Sequence, residues 1–184
     1  MGGIAAFAIG VIGAAAQEPA NTAVLGSPYE TKPITNSQSN LDKSALTAAE
    51  RHFIERTAKM NEEEVAISRV VAQNGAASQV RDFAAEMVSS HEKVGSELST
   101  IASKKGVTLP EKSVSTQKWS ESKPADIDED YVKKMISEHK TLIELFEQAA
   151  KSNDADIAGF ASTCLPDLRA HYTKAETLKN QVKS

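Results

Sequence analysis

Four side chains that can bind a transition metal occur once each in four amphipathic segments of the 184-residue sequence. They are Glu64, His91, His139 and His171. Imidazole nitrogen and carboxylate oxygen are suitable donors for Zn, Cu, Ni and Fe. If the four segments pack against one another, these residues predict a site for one transition metal ion in the core.

The segments that carry these residues repeat their apolar positions with a period near 3.6, which predicts four amphipathic helices. Thr47-x-x-Glu50 is a capping box at the start of the first helix, and Asn74-Gly75 predicts its end. The second helix is predicted from Ser78 to Lys105. A further capping box, Asp126-x-x-Glu129, predicts the start of the third, and the turn Ser152-Asn153-Asp154 precedes the fourth.

Two of the three connections are short, whereas residues 106–125 form a long connection between the second and third helices. About 20 extended residues reach about 60 Å, and a helix of about 26 residues is about 40 Å long. The long connection can therefore cross the full length of a bundle. The sequence predicts an all-α, ferritin-like antiparallel four-helix bundle, and we favour this crossover over an up-down-up-down order.

Counting residues from the helix ends places the four metal-capable residues within about 7.5 Å of one another along the bundle axis. A buried carboxylate is costly unless it is paired, so Glu64 needs a partner. A metal ion is one partner. The alternatives are a structural network, in which Glu64 accepts hydrogen bonds from histidines, and polar side chains that turn outward. The sequence leaves the three interpretations open.

A dinuclear iron site and an enzymatic role are both disfavoured. Di-iron bundles use Glu-x-x-His on two helices, but Val88 stands three residues before His91 and Leu168 three before His171. The sequence has no Gly-rich phosphate loop, nucleophile elbow or Cys-x-x-Cys pair. We therefore predict no catalytic residues and favour a non-catalytic protein.

Several other residues are candidates for supporting roles. Tyr131, Glu138 and Asp128 are either partners of the metal-capable residues or ordinary members of the third helix. Trp119 is expected to fix the long connection to the bundle, and His52 is expected to be exposed because it lies off the apolar stripe.

Composition limits the classes of partner. Lys and Arg total 21 against 25 Asp and Glu, the net charge is −4, and no basic block is present. Nucleic acid is therefore not expected as a partner.

The single cysteine, Cys164, cannot form an internal disulfide and is expected to be a small buried apolar residue. The sequence does not indicate a protein partner.

The N-terminal sequence indicates export. Residues 1–16 are uncharged and apolar, too short to span a membrane, and end in Ala14-Ala15-Ala16, which is typical of signal peptide cleavage. The alternative is a buried apolar strand or helix. Residues 17–45 are rich in Ser, Thr, Asn and Pro and predict a flexible tether, and residues 46–182 the bundle domain. We expect a periplasmic or secreted protein without a transmembrane anchor after cleavage.

The sequence also resembles the bacterial family called domain of unknown function 4142, whose members are regarded as ferritin-like and are often labelled outer-membrane proteins. The resemblance covers about three quarters of the chain and depends on motifs in all four helices and the long connection: Asn61 to Val65, Phe83-Ala84 with Met87 and His91, Gly106 with Leu109-Pro110, Asp128 with Tyr131, Met135 and His139, and Leu165-Pro166-x-Leu168-x-x-His171 with Ala175. It implies a ferritin-like fold and export, with association with the outer membrane as one location. It implies no reaction.

Overall fold

A computed structural model describes residues 46–110 and 113–182 of the chain. Five helices account for most of these residues: α1 (Ala48–Asn74), α2 (Ser78–Lys104), α3 (Gln117–Glu121), α4 (Pro124–Ala149) and α5 (Ala155–Lys179). Four are long, and the short α3 lies within the long connection. The described ranges contain no strand, so the all-α prediction is confirmed. The predicted signal peptide and tether lie outside these ranges.

The helix ends follow local capping chemistry, with one correction. The capping box at Thr47 is present, because its hydroxyl accepts from the Glu50 N–H at 3.2 Å and the Glu50 carboxylate accepts from the Thr47 N–H at 2.8 Å. The predicted capping box at Asp126 is wrong. Helix α4 begins at Pro124, and Asp126 lies inside its first turn. Proline at the first helical position needs no N–H partner and already has a helical φ, so it starts the helix earlier.

Contacts at both ends of the bundle establish the direction of α4 and α5. Near the α1–α2 turn, Asp128 on α4 accepts hydrogen bonds from the N–H groups of Ala76 at 3.0 Å and Ala77 at 2.7 Å. At the other end, Lys104 on α2 is 2.7 Å from Asp156 on α5. The chain therefore leaves α2 at one end and enters α4 at the other, so the predicted crossover is confirmed. Helix α1 packs on α2 and α4, and α5 packs on the same two helices.

The buried apolar residues divide into two clusters at opposite ends of the bundle. The Phe53 cluster includes Phe53, Leu98, Phe146 and Phe160, and the Phe83 cluster includes Phe83, Met87, Trp119 and Tyr131. Within each long helix, one metal-capable residue falls between the members of the two clusters. Glu64, His91, His139 and His171 together form the polar layer, a buried belt that separates two apolar half-cores.

Short helix α3 holds the crossover against the bundle. Trp119 is only 8% exposed and meets Tyr131 edge to face, with ring centroids 6.3 Å apart. Lys118 also forms an ion pair with Asp130 at 2.8 Å. The prediction that Trp119 fixes the long connection is therefore confirmed. None of the helices in the described ranges has the length and hydropathy needed to cross a bilayer.

Candidate metal centre

The structure brings the three predicted histidines together from three different helices. Their ring centroids are 5.6 Å apart for His91 and His139, 5.8 Å for His91 and His171, and 5.4 Å for His139 and His171. One ring nitrogen from each lies within 4.8 Å of the other two. All three side chains are buried. The three histidines could therefore hold a metal ion.

Glu64 lies beside this group, next to Nδ1 of His91 and Nδ1 of His139. It is fully buried, with Oε2 3.0 Å from His91 Nδ1 and Oε1 3.6 Å from His139 Nδ1. The group of donor atoms that lie within 4.8 Å of one another consists of the three histidines and does not include Glu64. Neither carboxylate oxygen accepts a well-aligned hydrogen bond. The sequence prediction that Glu64 is itself a metal ligand stays a prediction.

The imidazole of His139 is held in one tautomer by its own helix. Nδ1 is 3.0 Å from the Met135 carbonyl, and because a carbonyl only accepts, Nδ1 must carry the proton. Nε2 of the same ring therefore presents a lone pair. This atom is buried and has no hydrogen-bond partner. A histidine that donates through one nitrogen to a backbone carbonyl and leaves the other free has the arrangement found at metal ligands.

His91 and His171 differ in their partners. Nδ1 of His91 donates to Asn61 Oδ1 at 3.1 Å with good alignment, so Asn61 and Glu64 share one side of this ring. Nδ1 of His171 is buried without a partner. The polar layer therefore contains two unpaired imidazole nitrogens, one on His139 and one on His171.

Burial controls the ionisation of the group. It lowers the pKa of His171 to about 4, with the neighbouring His139 and His91 acting in the same direction. Burial also lowers the pKa of His139, although Glu64 opposes the effect. Burial alone would raise the pKa of Glu64, but attraction to His91 and then to His139 outweighs it and keeps the carboxylate ionised. The lowered pKa values favour the neutral imidazole at His139 and His171, which is the form that binds metals.

The other polar residues of α4 have structural partners. Asp128 caps the N-terminus of α2, and Tyr131 forms a 2.7 Å hydrogen bond with Ser68 on α1. Glu138 pairs with Lys134 at 2.6 Å, and burial raises its pKa to about 7. Asp128 and Tyr131 are thus bound to groups outside the polar layer. His52 is exposed, as predicted.

Sequence reasoning missed Asn61 as a partner of His91. Asn61 stands three residues before Glu64, on the same face of α1, and that spacing was the available signal. Its side chain occupies space opposite Gly95 on α2, where an added Cβ would lie 2.9 Å from Asn61 Nδ2. The contact of Asn61 with His91 therefore needs a residue without a side chain at position 95.

The fold and the buried histidines define a crossover four-helix bundle with a candidate metal centre. The chain belongs to the family described as a domain of unknown function (DUF4142), whose sequence profile matches residues 35–178. The resemblance noted from the sequence is therefore confirmed. No protein with a curated description matches the sequence.

A solved structure of similar fold is a DUF305 fragment from Deinococcus radiodurans. The two structures superpose with a TM-score of 0.66 and 11% sequence identity, over 74% of this chain and 99% of the fragment. At this identity the likeness supports the helical bundle fold alone.

Proposed function

We propose that the protein binds one transition metal ion through His91, His139 and His171, and that it handles this metal outside the cytoplasm. Glu64 supports the site from the Nδ1 side. The observation that carries the proposal is the pair of buried imidazole nitrogens, on His139 and His171, that have no hydrogen-bond partner.

A purely structural network accounts poorly for these two nitrogens. A buried polar atom without a partner costs about 1–3 kcal/mol, and here two such atoms lie in one layer. Glu64 does not satisfy them: His139 Nε2 and the ionised carboxylate both only accept, and Glu64 forms no hydrogen bond with His171 Nδ1. A metal ion that accepts both lone pairs removes both penalties and also offsets the buried negative charge of Glu64.

The distances are compatible with a metal after a small contraction. Zinc–nitrogen bonds are about 2.0–2.1 Å long, so donors around a tetrahedral ion are about 3.4 Å apart. The three ring nitrogens lie within 4.8 Å of one another, so each must move inward by on the order of 1 Å.

Glu64 is best assigned as a positioning residue. Histidine ligands commonly donate their second nitrogen to a carboxylate, which orients the ring and increases its basicity. Glu64 Oε2 lies 3.0 Å from His91 Nδ1, close enough for this role after a small rotation that aligns the hydrogen bond now made to Asn61. Three imidazoles with a nearby carboxylate suit Zn, Cu, Ni or Fe, and among the divalent ions copper is expected to bind most tightly.

Elemental analysis of protein purified without chelator tests the proposal. We expect up to one equivalent of transition metal per chain, and full loading after addition of Zn²⁺ or Cu²⁺ to stripped protein. His139→Ala should lose the metal because it removes a central donor. His52→Ala is the matched control, since His52 is exposed and distant in sequence from the polar layer.

The outcome that contradicts the proposal is equally specific. If the wild type contains no metal and neither added ion changes its melting temperature, the site is not a metal centre. The polar layer would then be a structural network around the contact between Glu64 and His91. That alternative predicts that Glu64→Gln lowers stability with no effect of metal in either protein.

The part of the proposal that places the protein outside the cytoplasm is supported by the apolar N-terminal run, which ends in Ala14-Ala15-Ala16. A full-length chain with a C-terminal tag should be recovered from the periplasmic or secreted fraction, shortened at its N-terminus. Recovery of the uncleaved chain from the cytoplasm would contradict this part and leave the metal site untouched.

A further inference from the structure

A small cavity lies directly beside the polar layer. Its volume is about 20 Å³, which is enough for one water-sized molecule. His91 and His171 form part of its wall, together with Thr57 and Asn61 on α1 and the apolar side chains of Leu142 and Phe146 on α4. The cavity therefore adjoins two of the three proposed ligands.

Two unpaired polar atoms belong to residues that line this cavity. Thr57 is 2% exposed and His171 is 6% exposed, and both Thr57 Oγ1 and His171 Nδ1 are buried without a hydrogen-bond partner. Buried hydroxyl groups nearly always have a partner. A polar atom on a small molecule within the cavity would supply one for Thr57.

We infer that the metal keeps an open coordination position that faces this cavity, where a water-sized ligand binds the metal and hydrogen-bonds to Thr57 Oγ1. This inference rests on the proposed function. Three protein nitrogens leave a four-coordinate ion one position short, and sites with three protein ligands commonly hold water or a small anion in the fourth. Thr57 is then a positioning residue for the exchangeable ligand.

The cavity also has a route to the surface. A groove of about 440 Å³ between α2 and α5 shares five lining residues with it: Ser90, Val94, Cys164, Asp167 and His171. Three carboxylates, on Glu86, Glu97 and Asp167, and one ammonium group, on Lys93, line this groove, and Lys174 forms an ion pair with Glu86 beside it. The negative balance attracts cations. Metal ions and small ligands therefore reach the polar layer from the α2–α5 side.

Copper-loaded protein provides the test, with Cu²⁺ as the probe metal and azide as the probe ligand. In water enriched in oxygen-17, the electron paramagnetic resonance lines of bound copper should broaden if a water molecule coordinates it. Azide should produce a charge-transfer band as it replaces that water. Thr57→Val keeps the shape of the side chain and removes the hydroxyl, so azide affinity should fall about fivefold, the effect of one hydrogen bond.

Thr141→Val is the matched control. Thr141 is half-buried and its hydroxyl donates to the Ser137 carbonyl of its own helix at 3.1 Å, so azide affinity should stay at the wild-type value. The oxygen-17 measurement on wild-type protein depends on no variant, and it remains decisive if Thr57→Val fails to fold.

The outcomes separate this inference from the proposed function. Copper bound at one equivalent without oxygen-17 broadening or an azide band would overturn the open position and leave the metal site standing. Broadening with equal azide affinity in Thr57→Val and wild type would overturn the role of Thr57. If wild-type protein binds no copper at all, both the site and the open position are wrong.

Discussion

Acidification of the metal-free protein from pH 6.5 towards 4 should remove one stabilising contribution that depends on a buried histidine. The cause is His171, whose pKa burial lowers from 6.5 to about 4 in the folded state. Between these two values the unfolded chain binds a proton that the folded chain does not. The stabilising contribution is therefore complete above about pH 6.5 and is lost as the pH falls towards about 4.

The size of the effect follows from the two pKa values. Each unit of difference corresponds to about 1.4 kcal/mol, so the upper limit for His171 is about 3 kcal/mol. The ring also lines the open α2–α5 groove, where solvent screens its charge. We therefore expect His171 to contribute a loss of about 2 kcal/mol in the free energy of unfolding between pH 6.5 and 4.5, measured as the difference in pH dependence between the wild type and His171→Leu. His139, whose pKa is also lowered, adds to the loss. Glu138 opposes it, because burial raises its pKa to about 7 and the folded chain binds that proton before the unfolded chain does.

Urea unfolding of chelator-treated protein at several pH values across this window measures the effect. His171→Leu should show a shallower dependence because it removes the titrating ring, and His52→Leu should follow the wild type. Carboxylates with a lowered pKa lose their stabilising effect only below pH 4.5. Asp156 is an example, since its pKa is about 2. An equal dependence of stability on pH in His171→Leu and in the wild type would refute the assignment.

Three further predictions concern the metal and the framework around it. A hundredfold excess of Zn²⁺ over its Kd should stabilise the wild type by about 2.7 kcal/mol in calorimetry, and His139→Ala should show no such shift. Gly75→Ala should cost about 1–2 kcal/mol in urea unfolding, because its Cβ would lie 2.7 Å from the Asp128 oxygen that caps α2. Gly159→Ala, with nothing within 4 Å, should instead stabilise by about 0.5–1 kcal/mol, and the reverse order would contradict this reasoning. Trp119→Ala should cost about 3 kcal/mol and make the crossover sensitive to protease, whereas an unchanged digestion pattern would show that Trp119 does not hold it.

The helices and the meeting of the histidines could be predicted because both depend on periodicity. One polar interruption in each apolar stripe must face the core, and residue counts from the helix ends place all four interruptions at one level. The length of the 106–125 connection permitted the crossover but did not require it. Contacts such as that between Asp128 and the α1–α2 turn were needed to establish it.

The remaining details depend on local geometry that residue spacing does not encode. Both Asp126 and Pro124 are good helix starters, and their order along the chain decided between them. Thr57 and Asn61 lie on the same face as Glu64, but only the packed structure shows that Asn61 reaches His91 while the Thr57 hydroxyl remains unpaired. The tautomer of His139 likewise depends on a backbone contact within α4.

The division of the core into the Phe53 and Phe83 clusters has a consequence for cooperativity. Each half-core buries its own aromatic residues, and the two meet only across the polar layer, where apolar contact is interrupted. Without a ligand the two ends of the bundle should open with different free energies, as separate units of hydrogen exchange. An ion bound by three helices at the boundary would join them into one cooperative unit, so amide protection should become uniform along each long helix when metal is added.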